Sequence, residues 1–424
     1  MKKRVVITGY GMITPLGRDA EETFQRAAQG RSGIDFIKSF DTSNLPCRIG
    51  GEIDDQWLHP LISDRLTRYT SRGGLLFIKS TEEAYRMAQL ETITDRYSIG
   101  LSVGSHGDNP TVKDMAFLHR YYDGNGKWDT ARLWDAAGGY QLLNFMKRKP
   151  DMVSALVAHR FDARGINITT ASACAAGAQA IGEAFRAIRD GRAKVMIAGG
   201  AEAVVDFFGL VGFISLKALS ERYVIPQTAS RPFDRKRNGF VISEGSATLI
   251  LEDYGHALKR GVTIYGELLG YGASADAYRI TDIHPEGLGA VIAMRKAIKD
   301  ANLTIEDVQY INAHGTSTVQ NDLIETLAIK KVFGERAKDI PVSSNKSMLG
   351  HTIAAAGAIE CVLTMMGINN SLILPTINYE YPDPRCDLNY VPNQALRREH
   401  SIALSNSFGF GGQNACLCIG KYTP

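Results

Sequence analysis

A β-prone run that ends in small residues and passes directly into an Ala-rich helical segment occurs twice in this chain. That repeated unit restricts the chain to a layered α/β architecture. The first unit runs from Ile168 to Ile188 around Cys174, the second from Val342 to Met366 around His351. In the first, Ile181, Ala184, Phe185 and Ile188 recur at helical spacing, so one face of Ala178–Asp190 can pack on a sheet while its start presents Cys174. Gly191 stops the helix. A thiol beside the unpaired N–H groups and positive dipole end of a helix is expected to favour its thiolate form, which is how a nucleophile is prepared. The competing reading is a buried structural cysteine, since free cysteines are mostly buried.

The same strand-then-helix rhythm extends along the chain. Arg4–Gly9 reads as a buried strand closed by glycine, followed by a turn-rich loop from Gly11 to Gly17 and a helix over Ala20–Ala28. Further strands are expected at Ser98–Val103, Ile166–Thr169, Val195–Ala198, Thr248–Leu251, Ile264–Gly270, Gln309–Asn312, Pro341–Ser344, Ala403–Ser405 and Ala415–Ile419. Helices are expected at Glu286–Ala301 and Asp322–Phe333. Two halves emerge, 1–255 and 256–424, related by a duplication of structure without a repeat of residue identities. The excursion at 105–160, with Trp128 and Trp134, could line a pocket, form a subunit interface or simply pack as an insertion.

Composition narrows the function classes. With 48 basic and 45 acidic residues and no charged block, neither nucleic acid nor a membrane surface is an expected partner. Six cysteines without CxxC or a secreted-type spacing fit a reducing cytoplasm, and no uninterrupted apolar run reaches the ~18 residues of a membrane span.

Three constellations beyond Cys174 carry chemistry. Asn312-Ala-His314-Gly-Thr316-Ser-Thr318 follows a strand, with Asp322 and Glu325 beyond, and suits a polar ligand held at a strand end. Ser343-Ser-Asn-Lys346-Ser-Met-Leu-Gly-His351 places a lysine and a histidine in one loop ahead of an Ala-rich helix that carries Glu360. Asn406-Ser-Phe408-Gly-Phe410-Gly-Gly412 can bring backbone N–H groups close to a reacting oxygen, with a ring as a movable wall. A structural histidine, a solvated lysine and a plain glycine turn are the simpler readings of each taken alone.

In this order, the motifs closely resemble the β-ketoacyl-acyl-carrier-protein synthases, condensing enzymes of the thiolase superfamily, and within them the synthase II branch. The likeness includes Val5–Gly17, Gly199-Gly-Ala-Glu202, Ser230-Arg-Pro-Phe-Asp234, Gly239-Phe-Val241, Tyr381-Pro-Asp383 and Cys386–Pro392. It implies a duplicated αβαβα five-layer fold with two mixed sheets, and a decarboxylating Claisen condensation. Cys174 would hold an acyl group, with its own N–H and that of Phe410 as the oxyanion hole. His314 and His351 would donate hydrogen bonds to the malonyl thioester oxygen. Lys346, paired with Glu360, would organise the second histidine. Thr316 and Thr318 would bind the pantetheine amides, while Phe408, Phe410 and Phe213 would line and gate the acyl tunnel.

The resemblance further implies acyl and malonyl thioesters of an acyl carrier protein as partners, and no resident cofactor or metal, because the phosphopantetheine arm arrives on the carrier. A homodimer is expected, with a heterodimer possible. Arg68, Arg72, Lys217, Arg222 and Lys236 are candidates for a carrier-docking patch. The chain departs from the synthase II pattern at Ala175 and Ala176, where hydroxyls are usual, and at Asn238 and Val319. A specialised polyketide or polyene ketosynthase therefore stands beside fatty-acid elongation. A chain-length-factor partner is disfavoured by Cys174. A thiolase, which Cys418-Ile-Gly420 faintly suggests, is disfavoured by the paired histidines.

Overall fold

The computed structural model describes residues 3–62, 69–136 and 146–424. Its centre is a ten-stranded sheet. In chain order the strands are β1 (Val5–Ile13), β2 (Ile99–Gly104), β3 (Asn167–Thr170), β4 (Val195–Glu202), β5 (Gly245–Asp253), β6 (Gly266–Ala275), β7 (Tyr310–Asn312), β8 (Val342–Ser343), β9 (Ile402–Gly409) and β10 (Gln413–Gly420). The strands lie in the order β3-β2-β4-β5-β1-β6-β10-β9-β7-β8. Each half pairs two parallel neighbours at its outer end and antiparallel ones further in. The topology is thus the same twice. The two mixed sheets implied by the resemblance join edge to edge, because Val5, Val6 and Ile7 of β1 also pair with Leu268, Glu267 and Gly266 of β6.

Helices fill the layers. We designate α1 (Arg72–Met87), α2 (Pro150–Phe161), α3 (Ala176–Arg189), α4 (Leu288–Asp300), α5 (Val319–Phe333) and α6 (Ala356–Asn370). The first pair packs on one outer face, with α1 against β1 and β5, and α2 against β2 and β3. On the opposite outer face α4 covers β6 and β10 and contacts α5. Between the two halves of the sheet, α3 and α6 pack on each other and on strands of both halves. Every residue of α6 from Ala356 to Ile368 is buried, as expected of a helix with no solvent face. The segment Ile353–Asn370 is also long and apolar enough to cross a membrane, but 89% of it is buried inside the fold, which identifies it as a core helix.

Two glycine placements differ from the sequence expectation. Gly9 and Gly11 do not end the first strand, which continues to Ile13. A Cβ at Gly9 would stand 2.4 Å from the Ala84 carbonyl, and one at Gly11 2.1 Å from that of Ser80, so they let α1 lie directly on the strand. Gly199 and Gly200 likewise sit within β4, which extends to Glu202.

A second close approach joins the halves. A Cβ at Gly177 would meet the Ala354 carbonyl at 2.7 Å, and one at Gly357 would meet the Ala178 Cβ at 2.7 Å. The starts of α3 and α6 therefore pass in direct backbone contact. Gly357→Val is expected to cost about 1–3 kcal/mol through overpacking and to lower the thermal midpoint. Gly212→Ala, whose added Cβ meets nothing within 4 Å, is expected to hold or raise it, as read in parallel circular-dichroism melts.

Candidate active site

The turn between β3 and α3 is unusually tight. Ala173 occupies the left-handed region at φ +48°, sparsely used by non-glycine residues, and directs the next side chain inward. Cys174 follows two residues before the first helical residue, with Ala175 as N-cap, and is 4% exposed. The amide N–H groups of Phe410 and of Cys174 itself both reach its sulfur. Burial nevertheless pushes the thiol up to about 12, opposed by the nearby Lys346 charge and these two N–H groups. Against the expectation that the helix start favours the thiolate, burial is the largest influence on this thiol and acts the other way.

His351 Nε2 lies 3.0 Å from Cys174 Sγ. His314 completes the cluster: one donor atom from each of Cys174, His314 and His351 lies within 4.8 Å of the others. The imidazoles meet edge to face at 5.3 Å between centroids. Each is placed by its backbone. The N–H groups of His314 and Gly315 donate to the Glu325 carboxylate on α5 at 2.8 Å each, and the Asn406 amide on β9 donates to the same group. The His351 N–H donates to the Val241 carbonyl, and its own carbonyl accepts from Ser243 N–H. The Phe240 ring stands edge-on to His351 at 5.2 Å.

Lys346 opens a single helical turn, Lys346–Leu349, ahead of His351, is 2% exposed, and forms a buried ion pair with Glu360 of α6. Burial, reinforced by the Lys346 charge, holds both histidines well below their usual range, so both are neutral at physiological pH. Burial pushes Glu360 up to about 7 against the Lys346 charge. Among the described residues neither histidine Nδ1 has a hydrogen-bond partner. Lys346 acts on them by charge.

A cavity of about 380 Å3 opens over the cluster, lined by Cys174, His314, His351, Thr316, Thr318, Phe240, Phe408 and Phe410 among others. Phe410 is 36% exposed at this wall, while Phe408 is buried against His314. The Thr316 and Thr318 hydroxyls bond each other at 2.9 Å. Phe213 does not line this cavity with Phe410. It packs edge-to-face on Phe240, 5.3 Å between centroids, so its effect on the site passes through that ring.

The candidate docking cations separate. Arg72 is engaged by both Glu244 oxygens, by Asp55 and by the Ile53 carbonyl, and is withdrawn from the patch. Lys217 lines the cavity. Arg222 and Lys236 line an adjoining hollow, where the Lys236 ammonium sits 3.4 Å from the Tyr381 ring centroid. Arg68 lies outside the described residues. In the excursion at 105–160, of which 137–145 also lie outside them, Trp128 and Trp134 are exposed.

Sequence reasoning missed three contributors: Phe240, Glu325 as the anchor of the His314 loop, and Arg237. The Arg237 guanidinium is buried and donates to the Thr318 and Val319 carbonyls and to Asp383, fixing the start of α5 beside the cavity. All three stood in or beside motifs singled out from the sequence, but a buried cation inside a polar motif carries no periodic signal of its own.

Comparisons with known proteins agree with this geometry. The family described as "Beta-ketoacyl synthase, N-terminal domain" matches residues 2–257, and "Beta-ketoacyl synthase, C-terminal domain" matches 265–380. A 3-oxoacyl-[acyl-carrier-protein] synthase 2 of Synechocystis sp. is 43% identical over 99% of each chain. Among solved structures, the ishigamide ketosynthase/chain length factor aligns with a TM-score of 0.88 at 30% identity over the full length of both chains. A type II polyketide synthase acyl-carrier protein in complex with its ketosynthase gives a TM-score of 0.85 at 33% identity, again over both full lengths. With Cys174 and both histidines gathered under one cavity, and with both halves matched in order, the chain belongs to the β-ketoacyl synthase family.

Proposed function

We propose that the chain catalyses decarboxylating condensation of an acyl thioester with malonyl-acyl-carrier protein, in fatty-acid-type elongation. The observation that carries this reading is the meeting of Cys174, His351 and His314 under one cavity, with both imidazoles neutral. Cys174 sulfur attacks the acyl carbonyl of the carrier thioester as its thiol proton is released, and the Cys174 and Phe410 N–H groups receive the oxyanion; collapse breaks the bond from the carbonyl carbon to the carrier sulfur, which takes up a proton and leaves as the thiol. A malonyl-carrier then binds, its thioester oxygen facing His314 and His351. Carbon dioxide departs as the C–C electron pair moves into an enolate stabilised by the two imidazole N–H donors. That enolate attacks the acyl-Cys174 carbonyl, and collapse expels the cysteine sulfur and forms the β-ketoacyl-carrier product.

Neutral histidines are what this step needs, because they donate hydrogen bonds without a net charge that must be neutralised afterwards. Thr316 and Thr318 on the cavity wall suit the amides of the phosphopantetheine arm, and Phe410 suits a gate. No resident cofactor or metal is required, since the prosthetic group travels on the carrier. Lys217, Arg222 and Lys236 are placed to meet an acidic carrier surface near the cavity. In this reading 1–255 supplies the nucleophile, and 256–424 supplies both histidines and Lys346.

The six free cysteines suit a cytoplasmic enzyme. The edge strand β3 leaves one side of its backbone without a sheet partner and has partly exposed residues, which supports dimerisation there, with a second copy or with a non-identical subunit. A polyketide- or polyene-type acyl chain is the second reading. It is favoured by Ala175 and Ala176 after the nucleophile and by the polyketide ketosynthase among the similar structures. Acyl-carrier thioesters of graded length and unsaturation, assayed for transfer to Cys174 by intact mass, separate the two.

Cys174→Ala is expected to abolish condensation and the acyl adduct while leaving malonyl decarboxylation measurable; wild-type elongation by that variant would overturn covalent catalysis. His351→Ala is expected to slow decarboxylation more than acyl loading, and equal loss of both would assign it a structural role. In histidine-labelled NMR titrations, Lys346→Met is expected to raise the protonation midpoints of His314 and His351, because a charge that disfavours imidazolium is gone. Unmoved midpoints would contradict control by Lys346.

A further inference from the structure

Glu202 is a buried carboxylate, bonded to the backbone three residues past His351, that the condensation does not use. Gly104 of β2 and Gly200 of β4 are direct partners in the parallel pair, and His106 and Glu202 stand two residues beyond them, at the same end. His106 Nδ1 and Glu202 Oε2 are 2.7 Å apart. The Glu202 side chain is fully buried, whereas that of His106 is 30% exposed. The same Glu202 oxygen accepts the Ala354 N–H at 3.3 Å, three residues past His351, and its other oxygen meets no partner among the described residues. Its charge acts on Cys174, disfavouring the thiolate.

A half-satisfied carboxylate in the interior is costly unless a cation faces it. His106 is the group placed to supply that cation. Burial by itself would discharge His106, but the hydrogen bond and charge of Glu202 outweigh burial and raise its affinity for a proton. The other charged group on its own loop is Asp108, which burial, together with the charges of Glu202 and Asp206, pushes up to about 6. From the remaining elements, Glu202 is faced by the Ala354 amide, its charge reaches the Cys174 sulfur, and Asp206 is engaged by the Asn109 side chain.

We propose that His106 and Glu202 form a positioning pair for the nucleophile: protonated His106 cancels the Glu202 charge facing Cys174, and once His106 is neutral the bare carboxylate holds the thiol protonated. The pair thus conveys the pH at a partly exposed imidazole to the buried sulfur on the cavity floor. The proposal rests on the reading of Cys174 as the reactive nucleophile, and its test needs neither carrier nor substrate, so its failure leaves the condensation reading standing.

The experiment is the pH profile of iodoacetamide alkylation at Cys174 in the full-length protein, followed by peptide mass spectrometry, for wild type, His106→Gln, Glu202→Gln and the double variant. Glu202→Gln is isosteric and keeps an acceptor for the Ala354 N–H. At about pH 8 it is expected to react roughly tenfold faster than wild type, the size of one interior charge removed at that range. His106→Gln in the Glu202→Gln background is expected to add nothing, whereas by itself it lowers reactivity below about pH 7. The wild-type profile should also carry an inflection coinciding with the His106 titration followed by NMR, a readout that needs no variant to fold. Superimposable profiles in all four proteins, or a wild-type profile without that inflection, would overturn the proposal and leave a structural ion pair.

Discussion

The backbone contact of α3 with α6 at Gly177 and Gly357 is the constraint on which the site depends. Cys174 and His351 are 177 residues apart in sequence, yet they share one short contact because each lies just ahead of a helix start, and the two starts pass with no side chain between them. The duplicated sheet supplies the geometry of this meeting. Corresponding parallel strands in each half end in a loop that feeds a middle-layer helix, so one half delivers Cys174 and the other delivers His351. His314 arrives by a different route, from the end of β7, and is pinned to α5 and β9 through Glu325.

Burial sets the electrostatics of the centre. Cys174, His314, His351, Lys346, Glu325 and Glu360 are all withdrawn from water, and desolvation is the first cause of every perturbed acidity among them. Its sign differs by group: it raises thiol and carboxyl and lowers imidazole. Lys346 offsets the penalty at the thiol and at Glu360, and adds to it at the histidines. A single buried cation therefore favours loss of the thiol proton while keeping both imidazoles neutral. Removing one member of such a buried pair typically costs about 3–5 kcal/mol, because the remaining charge is left uncompensated.

Much of the fold was legible in the residues. Alternating strands and helices, the Ala-rich segments after Cys174 and His351, and the terminal hairpin of β9 and β10 all follow from periodicity and turn chemistry. The errors share a cause. By local rules Gly9 ends a strand and Gly11 opens a loop, but both lie within β1, and the requirement for them comes from a helix distant in sequence; Gly199 and Gly200 likewise lie within β4, beyond the strand expected at Val195–Ala198. Arg72 read as a surface cation, yet it is engaged by Glu244, 172 residues away. Phe213 read as a gate and instead supports Phe240, whose side chain touches His351.

By itself, the sequence determined the alternation of elements, the doubling of the strand–loop–helix unit and the chemical identities of Cys174, His314, Lys346 and His351, since each is encoded in spacing or residue type over short stretches. Tertiary structure alone decided the protonation states and neighbours of those groups. The thiol is held protonated, the histidines neutral, Lys346 facing Glu360 and Glu202 facing His106, because desolvation and charge pairing depend on which distant segments close over a side chain.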